Sequence, residues 1–339
     1  MRHIEPRQLL SFRPCRNRTR LPVTALTLSA VALAVMTSAA TAAETSSVDF
    51  QSGTHVHALP RQAAGDDPTP VLDNNHFHQS AVTRRPPVSK ALTYYGGPVM
   101  ANIAVEQVLW GSGTYTPQVT GSVSPNVATF FQSVLTSSFM NVLAQYPSST
   151  ANIGHGTFQG TVAVTPSAAA NGSTITDAQI QTELQAQIKA GKLLAPTANS
   201  YYAVFFPKGK VITQGGVSSC ASGGFCAYHG TFVLNGLDVT YGVHPDMSAG
   251  SGCDVGCGTN TVAFNNLTSV ASHELAETAT DPAVGLATVY APPLAWYNPT
   301  LGEIGDICNG QQGSFVDASG VAYTVQKIWS NSAAACVTQ

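Results

Sequence analysis

An export signal followed by six cysteines is the feature that most constrains how this 339-residue chain can fold. Six arginines precede a short apolar run over residues 21–36, and Ala40-Thr41-Ala42 fits an Ala-x-Ala cleavage site. Residues 1–43 are therefore predicted to be a secretory signal peptide. The apolar run is short for a membrane span, which needs about 20 residues. We expect a secreted protein, extracellular or periplasmic, with no membrane span once the signal is removed.

The cysteines that follow the signal agree with export. An even number of cysteines in an oxidising compartment is typical of disulfide bonds. The six are Cys220, Cys226, Cys253, Cys257, Cys308 and Cys336. Fifteen connectivities are open, and nearness in sequence favours the pairs 220–226, 253–257 and 308–336. A zinc site made of cysteines is the competing interpretation, but Cys253-x-x-x-Cys257 lacks a matching second pair.

The charge of the chain limits its partners. Without residues 1–43 it has nine Lys+Arg and 17 Asp+Glu, which is a net charge of −8. An acidic chain with few basic residues is a poor candidate for binding nucleic acid or anionic membranes. Charged residues make up 10% of the sequence, against about 25% in an average protein. A local concentration of acids is therefore informative here.

Residues 44–91 are polar and contain proline and glycine, which predicts a flexible leader or propeptide. Residues 92–339 are long enough for one globular domain. Apolar patterns predict strands over 99–110, 156–165 and 201–206, and Asn235-Gly236 predicts a hairpin between 227–234 and 237–243. Ser124-Pro125 predicts the start of a helix with Ser124 as N-cap, whose apolar residues recur at helical spacing over 127–143, and a capping box at 176–179 predicts a second helix. A third helix is predicted to be capped by Asn265 or Asn266 and to end at Asp281-Pro282. We expect an α/β (α+β) fold: a single zincin-like domain with a mixed sheet, packed helices and disulfides.

The most chemically suggestive segment is His273-Glu274-Leu275-Ala276-Glu277. It begins like the zinc-protease motif His-Glu-x-x-His, with a glutamate in place of the second histidine. On a helix, positions i and i+4 share a face, so His273 and Glu277 are candidate ligands of one metal ion. Asp281 lies on the same side, and Glu274 is placed to act as a general base. The alternative is an ordinary amphipathic helix.

A second group of acids, Glu303 and Asp306, follows about 25 residues later. A zinc site with two ligands on one helix needs a third from elsewhere, often a carboxylate, so both acids are candidate metal ligands. The alternative is that they lie on the surface or cap a turn. His229 and His244 are further candidates for ligands or transition-state donors, although each is more typical of a structural histidine. Zn²⁺ is the expected cofactor, with Ca²⁺ as the alternative because calcium takes oxygen ligands.

These motifs resemble a known family. The segments 273–282, Ala295-Trp296-Tyr297 and 303–308 are similar to the core of the EXORDIUM-like, or phosphate-induced, family of exported plant proteins. Residues 225–230 resemble another of its signatures, and 95–98 and 108–111 do so more loosely. The chain departs from the plant pattern in Asp281-Pro282, where asparagine is common, and in its long leader. The resemblance implies export, disulfides and a spatial pairing of the two acidic motifs, as in a bacterial relative.

Two functions remain open from the sequence. The first is a zinc-dependent hydrolase, most simply a peptidase, acting on a peptide or cell-wall substrate with Glu274 as the base. The second is a non-catalytic exported matrix or binding protein with a structural cation. Exposure of His273, Glu274 and Glu277 to solvent would favour the enzyme. Burial of Glu274 in a hydrogen-bonded network would favour the structural role.

Overall fold

The computed structural model describes residues 57–61 and 89–339. The predicted signal peptide and most of the predicted leader lie outside the described residues. One part of that leader, His57–Pro60, forms a strand of the central sheet. This stretch therefore belongs to the fold rather than to a flexible segment.

The described residues form strands, α-helices and short 3-10 helices. The strands are β1 His57–Pro60, β2 Thr93–Tyr94, β3 Ala104–Trp110, β4 Thr157–Val164, β5 Thr174–Thr176, β6 Ser200–Phe205, β7 Val211–Gln214, β8 Val217–Ser218, β9 Phe225–Leu234, β10 Leu237–His244, β11 Trp296–Tyr297, β12 Gln312–Val316, β13 Ala322–Gln326, β14 Ile328–Ser330 and β15 Ala335–Val337. The helices are α1 Pro117–Thr120, α2 Val127–Val134, α3 Ser138–Leu143, α4 Asp177–Lys189 and α5 Ala263–Thr280. The 3-10 helices are Ala168–Ala170, Val284–Leu286 and Asp306–Cys308.

A six-stranded mixed sheet organises these elements, in the order β1-β9-β10-β6-β3-β4. Neighbours among β10, β6, β3 and β4 are parallel, whereas β9 is antiparallel to β10 and β1 is antiparallel to β9. Helices α1, α2 and α3 lie in the connection from β3 to β4 and α4 lies in the connection from β4 to β6, whereas β7, β8 and β9 lie between β6 and β10. Each parallel pair is thus joined by a long crossover, as parallel strands require. The mixed α+β class with helices packed on sheets is confirmed, and the zincin-like detail stays a prediction.

The sheet is covered on both faces, and β6 shows how. Tyr201, Ala203 and Phe205 pack in the core that includes α2, α3 and α5. Tyr202 and Val204 point the other way, into the core that includes α4. A strand that is buried on both faces has an almost continuous apolar sequence. That is why residues 201–206 predict a strand without an alternating pattern.

Two local signals in the sequence are confirmed. Asn235 and Gly236 both have positive φ, 53° and 81°, as a type I′ hairpin turn between β9 and β10 requires. The side chain of Thr176 accepts a hydrogen bond from the N–H of Gln179, and the side chain of Gln179 accepts one from the N–H of Thr176. This capping box starts α4 where the sequence predicts it.

The predicted N-cap at Ser124 is wrong. Asn126 caps α2 instead, because its side chain accepts a hydrogen bond from the N–H of Thr129 at 2.9 Å. The apolar periodicity over 127–143 also belongs to two helices, since α2 ends at Val134 and Ser137 caps α3. A continuous pattern of buried residues therefore concealed a break between two short helices.

The motif helix, α5, runs through the core. Every residue from 266 to 280 is buried. The predicted cap by Asn265 or Asn266 is wrong, because Val262 is the N-cap. Asn266 instead lies in the first turn and bonds both backbone groups of Asn260, at 3.0 and 2.9 Å. The predicted end at Asp281-Pro282 is confirmed, since the residue before a proline avoids helical geometry.

The disulfide pairing differs from the one predicted. The bonds are Cys220–Cys253, Cys226–Cys257 and Cys308–Cys336. Two of the predicted pairs are therefore wrong and the third is confirmed. The loop after β10 folds back against the start of β9, so each cysteine there meets one that is more than 30 residues away. Nearness in sequence did not predict these two pairs, because the tertiary fold determines which cysteines come into contact.

Three disulfides fit an oxidising, extracellular environment. Within residues 57–61 and 89–339, the helices are too short or too polar to span a membrane.

Candidate metal centre

The fold brings seven ionisable side chains together beneath the central sheet. They come from β9, from α5 with its C-cap, and from the segment at the last 3-10 helix: His229, His273, Glu274, Glu277, Asp281, Glu303 and Asp306. Six of them are 0% exposed, and Asp306 exposes 5% of its side chain. We call these seven residues the acidic cluster. Both acidic motifs that the sequence singles out contribute to it.

His229 lies among three glutamates. Its Nδ1 is 3.3 Å from Oε2 of Glu274 and 3.7 Å from Oε2 of Glu277. Its Nε2 is 3.6 Å from Oε1 of Glu303. One ligand atom each from His229, Glu277 and Glu303 lies within 4.8 Å of the other two. This spacing suits three side chains that share a metal ion.

His273 occupies the other side of Glu277. Its Nε2 is 3.0 Å from Oε1 of Glu277 and 3.9 Å from Oδ1 of Asp306. His273, Glu274 and Glu277 form a second group whose ligand atoms lie within 4.8 Å of one another. Glu277 thus has one oxygen towards each histidine, and both groups share it.

The side chain of Gln326 determines which ring nitrogen of neutral His273 carries the proton. Nε2 of Gln326 lies 2.8 Å from the carbonyl oxygen of Gly305 and 2.7 Å from Nδ1 of His273. A carbonyl oxygen only accepts, so the amide nitrogen donates to it and turns its second hydrogen towards Nδ1. Neutral His273 then carries its proton on Nε2, which lies 3.0 Å from Oε1 of Glu277. In this tautomer Nε2 is not free to bind a metal.

Glu277 is held in place by the backbone as well. The N–H groups of Gly305 and Asp306 donate to its Oε1 at 3.2 and 3.1 Å. A Cβ on Gly305 would lie 2.5 Å from Nδ1 of His273 and 2.8 Å from Oε1 of Glu277. Glycine is therefore required for the backbone to approach this closely. With Oε1 committed to these donors, Oε2 is the oxygen directed towards His229.

Asp281 and Asp306 mainly shape the surrounding backbone. Oδ1 of Asp281 accepts from the N–H of Ala295 at 3.0 Å. Oδ2 of Asp306 accepts from the N–H of Glu303 at 2.8 Å. Among the described residues, neither aspartate belongs to the two close groups around the histidines. Both nevertheless lie near enough to act on the charges of those groups.

Burial and the closely spaced acids together shift the pKa values of groups in the acidic cluster. Burial raises the pKa of Glu303 well above its ordinary value, and the carboxylates of Glu277, Asp281, Asp306 and Glu274 raise it further. At His273, burial lowers the pKa, but the carboxylates of Glu277 and Asp306 outweigh it and the net pKa is raised. Both shifts favour added positive charge.

Tyr201 on β6 adds a neutral hydroxyl beside the acidic cluster. Burial raises its pKa well above 10, and the carboxylates of Glu274 and Glu277 act in the same direction. The phenol therefore stays protonated and can donate a hydrogen bond.

The sequence predicted most of the acidic cluster but not its centre. It named His273, Glu274, Glu277, Asp281, Glu303 and Asp306, and the structure brings all six together. It left His229 as a secondary candidate, although residues 225–230 resemble a signature of the EXORDIUM-like family. Tyr201 and Gln326 were missed, because nothing in the sequence marks an ordinary strand residue as a neighbour of the acids. His244 belongs to neither close group of ligands.

Comparisons with protein-family models, with curated proteins and with solved structures found no match. The resemblance to the EXORDIUM-like family therefore stays a prediction.

Proposed function

We propose that this chain is an exported metal-binding protein that holds one divalent cation, Zn²⁺, between His229, Glu277 and Glu303. The observation that carries the proposal is that these three side chains meet within 4.8 Å in a fully buried place crowded by acids. Buried carboxylates in proteins are paired, protonated or bound to a metal. Burial and then the repulsion of neighbouring carboxylates raise the pKa of Glu303, and a divalent cation bound there would relieve this repulsion.

The ligand types favour zinc over calcium. Calcium takes oxygen ligands, six to eight of them, whereas imidazole suits zinc. A histidine between two carboxylates is an ordinary nitrogen and oxygen set for zinc. Ca²⁺ would leave the imidazole of His229 without a role.

The tautomer of His273 favours the His229 group over the motif group. A bound cation would neutralise the carboxylates that favour the imidazolium form of His273, so that its neutral form prevails. That form uses both ring nitrogens, towards Gln326 and Glu277. His273 then acts as a positioning residue that directs Glu277 towards His229. A hydrogen-bonded partner of a metal ligand commonly has this function.

The burial of Glu274 supports a structural role for the cation. Glu274 is 0% exposed, and its Oε2 lies 3.3 Å from Nδ1 of His229. A cation in the His229 group would join β9, α5 and the segment that precedes Asp306. These are three elements that are distant in sequence, which is where a crosslink stabilises most.

A metal-dependent hydrolase is the second candidate, and the same 3.3 Å contact favours it. A bound zinc ion supplies a Lewis acid that lowers the pKa of a water molecule. Glu274 lies beside the proposed ligand His229 and could take up the proton of such a water, while Tyr201 could donate a hydrogen bond. The substrate would be a peptide or a cell-wall component.

Metal content by plasma mass spectrometry on the purified protein tests the proposal. We expect about one zinc per chain, lost in His229→Gln and in Glu303→Gln but largely kept in His273→Gln. Glu183→Gln is the matched control, since Glu183 is buried outside the acidic cluster. Loss of zinc in His273→Gln with retention in His229→Gln would assign the metal to the motif group instead. No binding after reconstitution with zinc or calcium would refute the proposal.

Hydrolysis is tested separately, with a peptide library and Glu274→Gln as the control. Cleavage by the zinc-loaded protein that disappears in Glu274→Gln would establish the hydrolase. Zinc binding without cleavage leaves the structural role.

A further inference from the structure

Strand β1 is an unusual component of the sheet. It comes from a stretch of chain that the sequence predicts to be a leader, and it pairs with the outer edge of β9. Its register places Leu59 opposite Ala227, and the pairing continues to His57 opposite His229. The added strand therefore runs alongside the residue that lies at the centre of the acidic cluster.

Two side chains anchor this segment. Leu59 is 3% exposed and packs in the main core. It borders a small hollow whose lining includes the Cys226–Cys257 disulfide, Val270 and Gln326. A leucine-sized side chain therefore has a defined site beside β9.

Arg61 forms the second anchor. Its N–H donates to the carbonyl oxygen of Gly224 at 2.9 Å. Its Nε lies 2.8 Å from the carbonyl oxygen of Gly252 and 2.7 Å from that of Val255. Two disulfides fix the loop that carries these carbonyls to the start of β9. The acceptors are thus held in place for a guanidinium group.

The backbone pairing of β1 is short and interrupted. It has four residues, and its register shifts between Leu59 and Pro60. Proline has no N–H to donate and is found in edge strands rather than central ones. Short strands at a sheet edge are also where a second extended segment can pair.

We propose that the outer edge of β9 is a strand-addition site for an extended peptide with the pattern Leu-x-Arg, and that residues 57–61 are its built-in occupant. The backbone of the peptide pairs antiparallel with β9, its leucine enters the site of Leu59, and its arginine reaches the two loop carbonyls. The ligand is a segment of another protein. Peptide pairing at this edge does not require the metal, so it is independent of the proposed function.

The test weakens the pairing of β1 with β9 in the full-length chain, so that the outer edge of β9 becomes free. Leu59→Asp/Arg61→Ala removes both anchors, and Val316→Asp/Lys192→Ala is the matched control, because Val316 and Lys192 are exposed and distant in sequence. A fluorescent peptide with the sequence of residues 57–61 is titrated against each protein by anisotropy. We expect it to bind the vacated variant at least about tenfold more tightly than the wild type or the control, since competition by the attached segment is removed.

The peptide itself provides a second control. A version with aspartate and alanine in place of its leucine and arginine should not bind. Equal binding of both peptides, equal binding to all proteins, or no binding at all would overturn the proposal. Self-association of the vacated variant without peptide binding would assign the edge to a second copy of the chain and overturn it as well.

Hydrogen exchange on the unmodified protein keeps the proposal testable should the vacated variant not fold. Amides of 57–61 and 225–229 should exchange by a local opening, faster than the core strand β6. Exchange of both segments only through global unfolding would show that β1 is a permanent strand and would refute a displaceable occupant.

Discussion

The buried imidazole of His244 should make the protein lose stability in mild acid. His244 ends β10, is 0% exposed and stacks on Phe205 with ring centroids 4.5 Å apart. Its Nδ1 lies 3.2 Å from the carbonyl oxygen of Val204. Burial lowers its pKa to about 4, although the hydrogen bond to Val204 acts in the opposite direction. The native state therefore keeps this imidazole neutral where an unfolded chain would protonate it.

The magnitude follows from the two pKa values. The unfolded state takes up a proton below its ordinary pKa of 6.5, whereas the folded state does so only below about 4. The difference between these two pKa values corresponds to roughly 3 kcal/mol at full extent. The contribution to stability is complete above about pH 6.5, falls as the pH decreases through this window, and is lost below about pH 4. At about pH 4.5 most of it, roughly 2 to 3 kcal/mol, should be gone.

Urea unfolding of wild type and His244→Gln at about pH 7.5 and about pH 4.5 measures this loss. Glutamine can still donate to the carbonyl of Val204 but does not titrate. Other groups titrate in both proteins, so the difference between their two pH dependences isolates His244. We expect the variant to lose roughly 2 to 3 kcal/mol less than the wild type between these pH values. An equal loss in both proteins would refute the assignment.

Three further predictions concern a close backbone approach, a helix cap and a disulfide bond. Gly305→Ala should abolish zinc binding, because its Cβ would lie 2.8 Å from Oε1 of the proposed ligand Glu277, and Gly154→Ala, which meets its nearest neighbour at 3.3 Å, should not; equal zinc content in both would contradict the close approach. Thr176→Ala should cost about 1 kcal/mol in urea unfolding by removing the cap of α4, and an unchanged midpoint would show that the cap is dispensable. Replacing both Cys308 and Cys336 by alanine opens a link across 28 residues and should lower the unfolding free energy by about 3.5 kcal/mol; an unchanged melting temperature would mean that the link adds no stability.

Local features of the fold followed from short stretches of sequence. The I′ turn at Asn235-Gly236 and the capping box at Thr176 each depend on a few adjacent residues, and both are confirmed. The cap of α2 failed because Ser124 and Asn126 are both acceptable caps, and packing of the helix selects between them. The pairing of Cys220 and Cys226 failed because it depends on how a distant loop returns to β9.

The sequence by itself determined the class of the molecule and the acids of its centre. A predicted export signal, six cysteines and a scarcity of charge predict a disulfide-bonded exported domain, and helical spacing alone puts His273 and Glu277 on one face. The tertiary structure decided which imidazole lies among the glutamates. His229 reaches them from β9, although it precedes His273 by 44 residues in the sequence. The tertiary structure also placed Gln326 against Nδ1 of His273 and β1 at the edge of β9. Contacts of this kind depend on chain packing across the whole domain, which no local pattern specifies.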